Sequence, residues 1–214
     1  MARRSDHTQE QLKNLIITGS IKLITEIGPS AFGTRAIAKE IGYSFGTIYH
    51  LYGNLEVLRY HVKGRILDNW YEELASGMGM VSQQDKAKFL VSTYIELSEQ
   101  QRFLWAFVFA MPSGSKESAP DWYIEKVENL FSLVIDAFEP ITQDRNEAEI
   151  AARAMWPSIH GICVLAMSHK LEMVSTEPSK KLALDLLDIY MTGLKNIDRD
   201  PEMFTVTTAG KVSQ

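Results

Sequence analysis

Residues 34–58, TRAIAKEIGYSFGTIYHLYGNLEVL, constrain the fold of this chain more than any other stretch. They read as helix, tight turn, helix, and the start of a further helix. Thr34 is expected to cap the first helix, because a Thr hydroxyl accepts a hydrogen bond from an orphan amide of the first turn. Ile37, Ala38 and Ile41 recur at three-to-four spacing and form one apolar stripe. Gly42 follows at once, where a left-handed residue ends a helix at least steric cost. Ser44 is expected to cap a second helix over 45–51, with Ile48 and Leu51 facing inward because they lie three apart. Ala38 is small where two helices joined by a short turn must cross. These features together specify a helix-turn-helix.

The second helix of such a unit enters the DNA major groove. Its outward face would be Phe45, Gly46, Thr47, Tyr49 and His50, with no acidic residue among them. Gly46 lets backbone approach DNA closely. Thr47 can bond a base edge or set its methyl against thymine. Tyr49 and His50 can donate to phosphate oxygens, which positions the helix without reading sequence. Thr34, Arg35 and Ser44 complete the predicted DNA-binding set. Arg35 sits in a first helical turn, where a cation opposes the macrodipole; facing phosphate would explain it.

The segment from Ile37 to Leu58 resembles the tetracycline-repressor (TetR) family of transcriptional regulators. The resemblance is carried by Ile-Ala-x-x-x-Gly from Ile37, by Gly46-Thr47-Ile48-Tyr49, and by Tyr52 before the next helix. With the helix preceding it, the likeness covers residues 8–60. It implies a ligand-responsive regulator, most often a repressor, that binds a near-palindromic operator as a homodimer. Two positions depart from the family pattern: Leu55 stands where a phosphate-contacting lysine is usual, and Phe45 where a basic residue is common. Both departures remove positive charge from the expected interface.

Charge distribution agrees with a DNA-binding head on a larger body. The chain has 214 residues and a formal net charge of −5, yet residues 1–65 hold nine basic and five acidic residues. The remainder holds 13 basic and 22 acidic residues. A basic head on an acidic body is the electrostatic footprint of a two-part DNA-binding protein. A single cysteine, Cys163, excludes an intramolecular disulfide and fits a reducing cytoplasm. The N-terminus has no apolar stretch of a secretory signal, and the longest apolar run, from residue 103 to 111, is about half a membrane span. A cytoplasmic protein without membrane attachment is expected.

The expected architecture is all-α: a three-helix head with the helix-turn-helix, and a larger helical ligand-binding and dimerisation body, about nine helices in all. The DNA-binding domain is assigned to 1–53, a linking helix 4 to 54–76, the body to 77–197, and a polar, mobile tail to 198–214. Helix 1 is expected over 8–27, with a Thr8/Gln11 capping box and a core stripe that includes Leu23, Ile24 and Ile27. Lys22 lies on its polar face as a phosphate-contact candidate, and Arg3 and Arg4 are candidates for a basic arm. Helices 5, 6 and 7 are expected over 83–99, 101–110 and 120–138, with a flexible loop over 113–119. The inner face of helix 7 would hold Trp122, Val127, Leu130, Phe131, Val134 and Phe138.

Helix 8 is expected over 144–171, with Pro157 inside it, and helix 9 over 178–196. Trp156, His160 and Gly161 resemble the Trp-x-x-x-His-Gly signature of one TetR-family regulatory-domain subtype. Helix 9 carries apolar residues on more than one face, so helices 8 and 9 look like half of a four-helix dimer interface, as the family resemblance also implies. A ligand cavity is implied by the same resemblance. Trp105, Phe109, Trp122, Phe131, Trp156 and His160 are the candidate lining for an apolar or aromatic effector. Plain core packing is the other use of such residues. His160 and Cys163 share a helix face, but no further ligand cluster accompanies them, so neither a metal nor a cofactor is expected. No nucleotide fingerprint or nucleophile elbow is present, and no enzymatic activity is expected. The competing class is a helical small-molecule sensor or partner-binding protein with weakened operator binding, for which Phe45 and Leu55 are the supporting residues.

Overall fold

The computed structural model describes residues 7–109 and 119–196 of the chain. The expected basic arm at Arg3 and Arg4, the loop over 113–118 and the tail over 198–214 lie outside the described residues. Those residues form nine α-helices and no strand: α1 Gln9–Ile27, α2 Thr34–Ile41, α3 Phe45–Tyr52, α4 Leu55–Met78, α5 Lys86–Gln100, α6 Arg102–Phe109, α7 Asp121–Phe138, α8 Arg145–Met167 and α9 Ser179–Asn196. The chain divides into two compact units. One comprises Met1–Glu73 and Leu97–Leu130, the other Leu74–Glu96 and Phe131–Gln214.

Local chemistry sets the ends of the helices in the first unit. The Thr8 hydroxyl accepts the Gln11 amide and the Gln11 side chain accepts the Thr8 amide, the reciprocal capping box. Gly28, at φ 115°, ends α1 with its amide on the Ile24 carbonyl at 2.9 Å. Gly42 ends α2 at φ 73°, in the left-handed region. The Tyr43 amide reaches back to the Ala38 carbonyl at 3.0 Å and the Gly42 amide to Lys39 at 3.4 Å, a Schellman closure. Ser44 Oγ then accepts the Thr47 amide at 3.3 Å and starts α3. Asn54 Oδ1 accepts the Val57 amide at 2.8 Å and starts α4.

The core of this unit is built from Ile16, Ile24, Ile37, Ile48, Leu58, Val62, Ile66 and Phe107, each almost fully enclosed. Gly19 of α1 meets Ile41 of α2: a Cβ there would lie 2.6 Å from Ile41 Cγ2. The Tyr52 hydroxyl donates to the Lys13 carbonyl at 3.2 Å, tying the end of α3 to α1. On α7, Trp122 stacks on His61 of α4 at 4.8 Å, and a Cβ at Gly64 would meet its ring at 2.9 Å. Lys126 pairs with Asp68 at 2.5 Å one turn further along.

In the second unit α8 packs on α9. Asp144 caps α8 through the Glu147 amide at 2.8 Å, and the helix buries Ala148, Ala151, Ala152, Met155, Ile159 and Cys163. The helix runs through Pro157 without a break. By length and composition α8 could cross a bilayer; here it forms half of the α8–α9 pair.

Several expectations are corrected. Thr34 is not the cap of α2: Gly33 holds that position with no side-chain bond, and Thr34 is the first helical residue. Ile27, the last residue of α1, is 61% exposed rather than core. The buried face of α7 is Leu133, Ile135, Ala137 and Phe138, while Val127 is exposed. Helix α5 begins at Lys86, after a 3-10 turn over Gln83–Asp85, and α4 runs on to Met78. Helix α8 stops at Met167, because His169 adopts a left-handed φ of 55° and the Lys170 amide closes on the Leu165 carbonyl at 2.9 Å.

Candidate nucleic-acid interface and ligand-site residues

Helix α3 presents one face to solvent. Phe45 is 59% exposed and Tyr49 is 48% exposed, and Ser44, Gly46 and His50 are exposed beside them. Thr47 is half-buried, its hydroxyl 3.0 Å from that of Ser44. Gly46 sits in helical conformation with open space above it: the nearest atom to an added Cβ is Ser44 Oγ at 3.7 Å. Nothing within the chain therefore demands glycine there, although glycine weakens a helix by up to about 1 kcal/mol relative to alanine. On α2, Thr34 is half-buried and Arg35 is exposed. The eight predicted DNA-facing residues thus cluster on two helices joined by the Gly42–Ser44 turn.

The positive charge counted along the head divides once it is folded. Lys22 pairs with Glu40 at 2.7 Å while its side chain stays 54% exposed. Arg59 bonds Glu56 at 3.1 Å and lies over the rings of Phe32 and Phe107 at 4.7 and 5.3 Å. Arg65 donates to Asn14 Oδ1 at 3.0 Å. Lys63 is only 5% exposed, its amine 6.0 Å from the Phe107 ring. Burial, with the Arg59 cation nearby, pushes the Lys63 amine down to about 8. Lys13, Arg35 and Lys39 remain exposed and form no ion pair among the described residues. Leu55, where a cation is expected from the family pattern, is half-buried at the start of α4.

Aromatic contacts join α3, α4 and α7. Tyr52 meets His61 edge-on at 5.2 Å, His61 stacks on Trp122, and Tyr60 meets Tyr123 at 5.1 Å. Burial and the Lys13 cation hold the His61 imidazole below its usual range. Burial pushes the Tyr52 and Tyr123 phenols up to about 12.

The six ligand-site candidates fall into two groups. Trp105, Phe109 and Trp122 belong to the first unit, where Trp105 is buried and packs on Phe109 at 4.7 Å. Phe131, Trp156 and His160 belong to the second. There Phe131 lies beneath the Arg153 guanidinium at 5.3 Å, and Trp156 stacks on His160 at 5.0 Å. His160 Nδ1 and the Tyr94 hydroxyl share a 2.7 Å hydrogen bond. Burial lowers the His160 pKa, which favours the neutral ring. Tyr94 is 66 positions away in the chain, and no spacing signal could have paired it with His160. Among the described residues no group of three or more His, Cys, Asp and Glu could hold a metal ion.

Residues 16–59 match the domain model described as bacterial regulatory proteins, tetR family. No curated protein sequence matches the chain significantly. Similar solved structures include a protein of unknown function from Rhodococcus sp. RHA1, at TM-score 0.70 and 16% identity, covering 91% of this chain and 100% of that one. The fatty acid degradation regulator FadR from Bacillus halodurans aligns at TM-score 0.61 and 16% identity over 87% of this chain and 99% of its own. Thermus thermophilus FadR, a TetR-family transcriptional repressor in complex with lauroyl-CoA, aligns at TM-score 0.63 and 14% identity over 88% and 96%. The helix-turn-helix head of this chain, over residues 16–59, thus matches the tetR-family domain of bacterial regulatory proteins, and the helical fold is similar to that of the FadR regulators.

Proposed function

We propose that the protein is a homodimeric, ligand-responsive transcriptional repressor of the cytoplasm that binds a near-palindromic operator. The observation that carries this function is the outward face of α3. A helical glycine with no internal reason stands between two exposed rings there, beside the exposed cations Arg35 and Lys39. Such a face suits close approach to a major groove. Residues Thr34, Arg35, Ser44, Phe45, Gly46, Thr47, Tyr49 and His50 form the proposed contact set.

Dimerisation is proposed through α8 and α9. Val164 and Leu165 of α8 are exposed, and Ile189 of α9 is 71% exposed. A Cβ at Gly161 or Gly193 would meet nothing, so both helices have open flanks. Apolar side chains on such a surface call for a partner, and a second copy supplies a matching face through two-fold symmetry. The effector is proposed to be a small apolar, acyl or aromatic molecule contacting Trp105, Phe109, Trp122, Phe131, Trp156 or His160. The lauroyl-CoA complex of Thermus thermophilus FadR makes acyl-CoA the first class to screen. An effector releases the operator only if it binds the DNA-incompetent state more tightly than the competent one.

A second function is favoured by the internal engagement of Lys22, Arg59, Lys63 and Arg65: a helical sensor with weakened operator binding. The test is a mobility-shift assay on DNA flanking the protein's own gene, at near-physiological salt with excess competitor. A specific complex that acyl-CoA or an aromatic ligand dissolves is expected. Absence of a complex, both before and after refolding to strip carried ligand, would favour the sensor instead.

A further inference from the structure

The outward face of α3 is short of groups that read base edges by hydrogen bonding. Its two capping hydroxyls, Ser44 and Thr47, lie 3.0 Å apart and engage each other, and Ser44 Oγ already accepts the Thr47 amide. Besides the His50 imidazole and the Tyr49 hydroxyl, what the helix offers outward is ring surface. Phe45 and Tyr49 are four residues apart, hence neighbours on one face, and both rings are exposed. Gly46 adds no side chain beside them. No acidic residue lies on α3, and Arg35 and Lys39 are exposed on the preceding helix, so the surface suits a polyanion rather than an acidic or neutral protein face.

In the major groove the one apolar feature that distinguishes base pairs is the C5-methyl group of thymine. We propose that Phe45 and Tyr49 are specificity-determining residues that read pyrimidine C5-methyl groups, so that thymines opposite these rings specify each operator half-site. This rests on the DNA-binding function proposed above and adds to it the chemical feature that is read. Ring–methyl contact buries a carbon that water otherwise surrounds, and a single buried carbon of this kind changes affinity about fourfold. Two-fold symmetry repeats the contact in the second half-site, which multiplies the effect.

The test begins with selection of a binding site from random duplexes by the full-length protein. Each thymine of that site is then replaced in turn by deoxyuridine, which lacks only the methyl group. Expected is a loss of about fourfold at one or two positions per half-site, and indifference elsewhere. Phe45→Ala should bind more weakly and lose the thymine–uracil difference at its own position, whereas Phe45→Leu should retain part of it. Tyr49→Ala should erase the difference at a separate position. Unchanged thermal midpoints would show that both variants fold. Specific binding with equal affinity for thymine and uracil throughout would overturn the methyl reader and leave the regulator standing. Discrimination that survives Phe45→Ala and Tyr49→Ala would overturn it too. Failure to select any sequence would overturn the regulator itself.

Discussion

Gly19 of α1 and Ile41 of α2 are in direct contact, with no room between the helices for a methyl group: a Cβ at position 19 would lie 2.6 Å from Ile41 Cγ2. Overpacking of this kind forces side chains off rotamer and shifts backbone. Gly19→Ala should therefore destabilise the protein by about 1–3 kcal/mol, read as a lower denaturant midpoint. Trimming the neighbour with Ile41→Ala in the same chain should recover part of that loss. Strict additivity of the two substitutions would show that the contact is not the cause.

Gly46 should behave in the opposite way. Space above it is open, and alanine is the better helix former, so Gly46→Ala should leave stability unchanged or raise it by up to about 1 kcal/mol. Operator affinity should fall, because the added methyl occupies the gap between backbone and DNA. A variant that is more stable and binds as well as the parent would remove the main support for the proposed interface.

Arg35 is exposed and forms no ion pair among the described residues, which leaves it available to phosphate. Each neutralised phosphate contributes about 0.9 to the slope of log affinity against log salt. Arg35→Ala changes both heads of a dimer. The slope should become shallower by about 2 and affinity should fall alike for all sequences. Lys22→Ala should change the slope far less, because that amine already pairs with Glu40. Equal slopes for parent and Arg35→Ala would exclude a phosphate contact.

Lys63 gives the folded protein a signature at alkaline pH. Its amine ionises at 10.5 in an unfolded chain and at about 8 in the fold, where burial disfavours the charge. Below pH 8 both states hold the proton and the cost of the buried charge is fully present. Between pH 8 and 10.5 the unfolded chain binds more protons, so this group makes stability rise with pH. Lys63→Met should lack that rise, and its stability difference from the parent should narrow between pH 8 and pH 10. The Tyr52 and Tyr123 phenols, raised to about 12, act the other way: unfolded phenols ionise first, and stability falls above pH 10. Those phenols are common to both proteins and cancel in the comparison. A difference that stays constant with pH would rule out the depressed amine.

Ile189→Glu tests the proposed dimer face. A carboxylate at a 71% exposed position is harmless to a monomer but repels its copy across a two-fold interface. Sedimentation should show a dimer for the parent and a monomer for the variant, with loss of operator affinity. An unchanged dimer would move the interface elsewhere.

The sequence by itself determined the parts of this protein that are set within a few residues. Thr8 with Gln11, Gly28, Gly42, Ser44 and Asn54 mark helix ends because caps and left-handed closures need only their immediate neighbours. The same local signals set α2 between Thr34 and Ile41, and helical period puts Phe45, Gly46 and Tyr49 on the exposed side of α3. Where the local rule has two solutions it misled: Thr34 and Gly33 can both precede a first turn, and glycine takes the cap. Tertiary structure alone decided which head cations stay open. Lys22, Arg59, Lys63 and Arg65 read like Arg35 in a charge count, yet packing buries Lys63 and gives Lys22, Arg59 and Arg65 partners within the chain. Likewise, only packing could show that Gly19 is a helix contact, that Trp122 stacks on His61, and that Tyr94 holds His160. Each of those pairs joins residues that are distant in the chain, where helical period gives a side chain its face but not the neighbour it will meet.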